Sequence, residues 1–197
     1  MRAMKPFQIL MSGLLMIMLA SCAVTPERPT YAEITFQHLA PLRLDVGEIK
    51  IVNEYHSPLK APNVEHELPV KIDDSLRNWV RDRIQVTGNQ NAFAVFTIKD
   101  ASVVEKPLEK KTGLSGLFTT DQSERYEFRV AAELKVQEVN GNRAIATADS
   151  SRMKTVSEDI TLNDREMVYF EQTEIMMREF DVQMEKNIRQ FLGGFLR

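Results

Sequence analysis

The sequence predicts an α+β fold: a two-layer sandwich with a four-stranded, largely antiparallel sheet and two helices on one face, in the order β-α-β-β-β-α. Three observations lead there. Residues 126–137 alternate apolar and polar apart from Ala131, as a strand with one covered and one wet face does. A tight-turn sequence, Asn140-Gly141-Asn142, joins them to a second strand-like run over 144–156. Apolar residues then recur at helical spacing from Met167 to Phe191, over a length that matches this hairpin.

The elements follow in order. Leu44 to Tyr55 predicts a first strand, with Val46, Ile49, Ile51 and Val52 as its apolar members and Pro58 and Pro62 ending it. A Pro-rich loop runs to Pro69. Ile72-Asp73-Asp74-Ser75 opens the first helix, where an Asp can cap free amides and suits the positive helix end. Leu76, Trp79, Val80 and Arg83 fall on one face with Ile84 beside them, and Gly88-Asn89 is the expected stop. The single tryptophan, Trp79, is expected in the core between helix and sheet. Phe93 to Val104, rich in β-branched and aromatic residues, predicts the second strand, central in the sheet.

In the third strand, Tyr126, Phe128, Val130, Ala132, Leu134 and Val136 share the covered face. In the fourth, Ala144, Ala146 and Ala148 are small, so something bulky is expected close above them. Thr161-Leu162-Asn163-Asp164 reads as a capping sequence. Behind it Phe170, Met177, Met184 and Phe191 recur every seven residues, widened by Met167, Phe180 and Ile188, and Gly193-Gly194 closes the helix. Such a helix spans ~45 Å at 1.5 Å per residue. A strand of about 13 residues spans ~43 Å. The helix is therefore expected to lie along the hairpin and cover its apolar face.

Composition narrows the function classes. Hydrophobic residues make up 43% and charged residues 27%, a globular balance that argues against disorder. The net charge of −3 and the absence of a basic stripe argue against nucleic acid as a partner. One cysteine, Cys22, excludes a disulfide within the chain. His38, His56 and His66 are scattered, so no metal and no cofactor is expected. No Ser/His nucleophile motif, glycine-rich dinucleotide loop or phosphate loop is present. The acidic pairs Asp73-Asp74, Glu158-Asp159 and Glu65 with Glu67 read as helix-start or solvated charges. No catalytic residues are assigned, and the chain is expected not to be an enzyme.

The N-terminus carries the clearest motif. Arg2 and Lys5 precede a charge-free run from Phe7 to Ala20, the length of a signal-peptide core and short for a spanning helix. Leu19-Ala20-Ser21-Cys22 follows. These four residues resemble the lipobox of bacterial lipoproteins. The resemblance implies cleavage between Ser21 and Cys22, a diacylglyceryl thioether on the Cys22 sulfur and acylation of its freed α-amine. It also implies an outer-membrane location facing the periplasm, since Ala23 rather than Asp follows the cysteine. The expected organisation is a signal peptide over 1–21, a lipidated tether over 22–43 with Pro26, Pro29 and Pro41, and a single α+β domain over 44–197.

Between the second and third strands, Leu114, Leu117 and Phe118 are punctuated by Gly113 and Gly116, with Lys106, Lys110 and Lys111 upstream. Exposed apolar residues at a loop tip mark a contact with a membrane or a partner; the alternative is that they fold back on the sheet. The whole layout, a lipobox followed by strand, helix, three strands and a long C-terminal helix, is similar to the lipopolysaccharide-assembly lipoprotein and to the auxiliary lipoproteins of lipid-transporting ABC systems. That resemblance implies a non-enzymatic envelope protein that binds a membrane partner in outer-membrane assembly or lipid transport. The competing expectation is a periplasmic lipid- or small-ligand-binding module. It requires a cavity under Trp79 or beside Ala144, Ala146 and Ala148.

Overall fold

The computed structural model describes residues 29–108, 122–157 and 159–197. Its main sheet has four strands: β2 (Ile49–Asn53), β4 (Ala92–Pro107), β5 (Gln122–Glu138) and β6 (Arg143–Ser157), adjacent in that order. β4, β5 and β6 are antiparallel to one another, and β2 joins β4 in parallel. Helices α1 (Ile72–Arg83) and α2 (Leu162–Phe191) cover one face. The expected α+β sandwich is therefore the observed one. Trp79 of α1 stacks on Phe96 of β4 with ring centroids 5.6 Å apart and meets Phe180 of α2 edge-on at 5.7 Å. Tyr169 of α2 meets Tyr126 and Phe128 of β5.

The alternation along β5 survives intact: Tyr126, Phe128, Val130, Ala132, Leu134 and Val136 are all buried. At Gly141 a φ of +97° and the bond from its N–H to the Glu138 carbonyl close the predicted turn. β4 carries a bulge. Ile98 faces Ala132 and Asp100 faces Ala131, so Lys99 is an extra residue. Buried positions accordingly run Ala92, Ala94, Phe96, Ile98 before the bulge and Ala101, Val103 after it.

Four local expectations are corrected. The first strand is two: β1 (Leu42–Leu44) lies outside the main sheet and pairs in parallel with β3 (Ile84–Val86). Between β1 and β2 the chain turns at Gly47, where a Cβ would stand 3.0 Å from the Asn89 carbonyl oxygen, so only glycine fits without displacing backbone. Helix α1 ends at Arg83, short of Gly88, because Ile84 and Val86 find strand partners in β1. Its start is not capped by a side chain. Asp73 and Asp74 sit inside the first turn, where only their charge acts on the helix end.

The body also begins before residue 44. Ile34, Phe36, Leu42 and Leu44 are buried. The Asp82 carboxylate accepts from Phe36 N–H at 2.9 Å, and Asn78 donates to the Ile34 carbonyl at 3.2 Å. Part of the expected tether is thus a strap laid along α1.

Candidate interaction surface

Two of the predicted functional regions lie outside the described residues: Ser21 with Cys22, and Leu114, Leu117 and Phe118. The described residues Tyr31, Pro107 and Gln122 lie toward one end of the described body. β4 ends at Pro107 and β5 begins at Gln122 at this end. β6 arrives there at Ser157, and α2 starts there, with Arg165 3.4 Å from Glu124 of β5. Tyr31, near the start of the described chain, packs on Phe170 of α2 at 5.2 Å. Phe170 is only about 7.5 Å of helix rise from Arg165. From Tyr31 the strap runs away from this end, reaching Asp82 at Phe36 and Arg83 at Ala40.

Trp79 is fully buried, and its indole N–H donates to Asp181 Oδ1 at 2.8 Å. Arg83 Nε donates to the same oxygen at 2.8 Å. The guanidinium also reaches Glu185 Oε2 and the Ala40 carbonyl. This network ties both helices to the strap. The sequence places Arg83 on the buried face of its helix; nothing in the sequence singles out Asp181, one acid among many on α2. The network leaves Trp79 no free edge for a ligand. The space over the small residues of β6 is likewise occupied: α2 lies across that strand, and Met177, Phe180 and Met184 are completely buried with Ala146 and Ala148.

Glu65 is also buried, and it departs from the solvated reading. Past Asn53 the edge of β4 has no strand partner among the described residues, and the Pro-rich loop takes that role. Val64 N–H donates to the Val103 carbonyl at 2.8 Å, and Glu105 N–H donates to the Pro62 carbonyl at 2.8 Å. Glu65 completes the edge by accepting from Val103 N–H at 3.3 Å, from the Tyr55 hydroxyl at 2.6 Å and from Asn63 at 3.3 Å. Burial pushes its carboxyl up. Hydrogen bonds from the Ser57 and Tyr55 hydroxyls and from backbone N–H groups outweigh that and hold it below the ordinary glutamate value. Beside it lies a shallow cavity of about 240 Å³ lined by Tyr55, Leu59, Lys71 and Asp73 among others. The carboxylate that borders it is already engaged, so it serves the fold.

Among the described residues no three His, Cys, Asp or Glu side chains converge as a metal-holding group. No described helix is long and apolar enough to cross a membrane.

No protein-family model matches this chain, and no curated protein does. Solved structures do resemble it. A minor lipoprotein from Acinetobacter baumannii aligns at a TM-score of 0.38 and 10% identity, over 74% of this chain and 93% of that one. The rare lipoprotein B from Shewanella oneidensis aligns at 0.38 and 13%, over 71% and 92%. A Xanthomonas campestris protein aligns at 0.37 and 10%, over 82% and 94%.

Proposed function

We propose that this chain is a lipid-anchored lipoprotein of the bacterial envelope that catalyses nothing and works by binding a partner, in outer-membrane assembly or lipid transport. The observation that carries the reading is Leu19-Ala20-Ser21-Cys22 behind a charge-free run and a short positive start. Two or more acyl chains on Cys22 hold the protein firmly, at about 0.8 kcal/mol per buried CH₂. Ala23 after the cysteine supports the periplasmic face of the outer membrane. A partner or membrane contact at Leu117 and Phe118 is part of the proposal.

The ligand-binding alternative is weaker, because the spaces it needs, under Trp79 and over Ala146 and Ala148, are filled by side chains.

The test is metabolic labelling with palmitate in cells making the native chain or Cys22→Ala. The native protein takes up label and fractionates with the outer membrane; Cys22→Ala takes up none and leaves that fraction. Equal labelling and fractionation of the two would refute the anchor. Crosslinking in cells is expected to recover an envelope protein, and recovery of peptidoglycan alone would refute the assembly role.

A further inference from the structure

The strap over residues 31–44 is held to the body in two different ways. Its inner part, β1, lies between two chain segments. β3 pairs with it in parallel on one side. On the other side the end of the chain closes in antiparallel. There Arg197 N–H donates to the Arg43 carbonyl at 3.0 Å, Asp45 N–H donates to the Phe195 carbonyl at 2.7 Å, and the Arg197 guanidinium meets the Asp45 carboxylate. The outer part, residues 31–41, forms neither strand nor helix. Among the described residues its only backbone–backbone hydrogen bond is internal, from Leu39 N–H to the Phe36 carbonyl.

This outer part is attached at few points. Ile34 and Phe36 are buried, Tyr31 rests on Phe170, and three side chains of α1, Asn78, Asp82 and Arg83, reach the strap backbone. Between it and α2 lies a cavity of about 380 Å³, lined by Ile34, Phe36 and Leu39 on one side and Phe170, Glu174 and Arg178 on the other. The charged groups of α1 do not depend on the strap for a partner. Asp82 keeps Arg81 at 3.1 Å, and Arg83 keeps Asp181 at 2.8 Å. Detachment therefore orphans no buried charge, which is the cost that fixes many such segments in place. A segment with few buried apolar contacts and side-chain anchoring opens well below the free energy of global unfolding.

We infer that residues 31–41 are stored tether: they detach from the body as a unit, as far as the β1 clamp, while the rest of the fold stays intact. This rests on the lipoprotein reading and adds a variable reach to it. With the strap docked, the chain from Cys22 to Tyr31 can span at most about 30 Å. With it detached, the span runs from Cys22 to Leu42 and its limit rises to about 70 Å. The body then stays close to its bilayer or reaches toward a partner without leaving the anchor.

Two measurements test this. Amide exchange followed by NMR reads the opening in the native chain. Phe36 N–H, bonded to Asp82, is expected to be on the order of a hundredfold less protected than Val130 N–H in β5, while Asp45 N–H, inside the clamp, stays among the slow amides. Equal protection of Phe36 and Val130 means that the strap leaves only when the whole body unfolds, and overturns the inference. Reach is read in the lipidated protein on phosphatidylcholine vesicles with acceptor fluorophores on the headgroups. Cys22 carries the lipid on its sulfur, so Val139→Cys, at a site 76% exposed, provides the one thiol for a donor. Adding Ile34→Ala and Phe36→Ala unseats the strap. The mean tether span then grows about 1.5-fold, and energy transfer is expected to fall while Val130 keeps its protection. Unchanged transfer in a variant whose strap has lost protection overturns the inference. The exchange contrast needs no substitution, so it decides even where the double variant fails to fold. The mass of the N-terminal peptide separates the two levels: an unmodified Cys22 refutes the lipoprotein reading itself, whereas a lipidated chain with unchanged transfer refutes only the stored tether.

Discussion

Asp181 accepts two hydrogen bonds on one oxygen from groups that have no water to turn to. Asp181→Ala removes the shared acceptor and leaves the Arg83 charge with Glu185 as its carboxylate partner. Breaking a buried pair from one side costs about 3–5 kcal/mol. Urea unfolding should show that loss, with Asp181→Asn losing less than half as much because its amide oxygen can still accept. Glu65 makes a prediction in pH. Its folded carboxyl titrates below its unfolded value, so its contribution is complete above the ordinary glutamate range and disappears as pH falls through the folded value. Glu65→Gln should flatten the acid limb of a stability–pH curve. Residues of this kind are hard to find in sequence. Trp79 was legible as core because it repeats with Leu76 and Val80, whereas an acid beside a proline-rich loop looks solvated until its strand-edge role is known.

Helix α2 shows where periodicity succeeds and where it drifts. Thr161 caps it as read: its hydroxyl oxygen accepts from Asp164 N–H at 3.2 Å. Thr161→Ala should cost about 1 kcal/mol in chemical denaturation. Of the seven-residue series, Met177 and Met184 are fully buried, but Phe170 is half-buried and Phe191 is 54% exposed. Met167 is also largely exposed, and Tyr169, Thr173 and Met176 fill the core instead. A straight helix rotates about 20° against a strict heptad with each repeat, so the ends of the series turn outward. Met184→Ala should therefore cost about 2–5 kcal/mol, and Phe191→Ala should stay within about 0.5 kcal/mol.

The long strands, the Asn-Gly turn and both helix starts were readable because each is a local pattern. The β1–β3 pair was not, because its two halves are far apart in the chain and each is only three residues long. Taking residues 42 and 43 as tether and extending α1 past Arg83 are one error, since Ile84 and Val86 leave the helix only when Leu42 and Leu44 are there to pair with them.

At the scale of the molecule, the layers sort by task. One face of the sheet is given to packing against the helices, and β4 and β5 meet the start of α2 at one end. The predicted loss of membrane fractionation in Cys22→Ala belongs to this scale, because it depends on no one core contact. The bulge at Lys99 has its own consequence for how the gene can vary. Excising one codon of β4 away from the bulge would exchange inside for outside along part of the strand. Excising the codon for Lys99 or for Asp100 leaves one residue between Ile98 and Ala101 and keeps both inward; loss of Lys99 also removes a surface ion pair with Glu54. A codon-deletion library across 92–107, sorted for folded protein, should therefore retain survivors chiefly at those two positions.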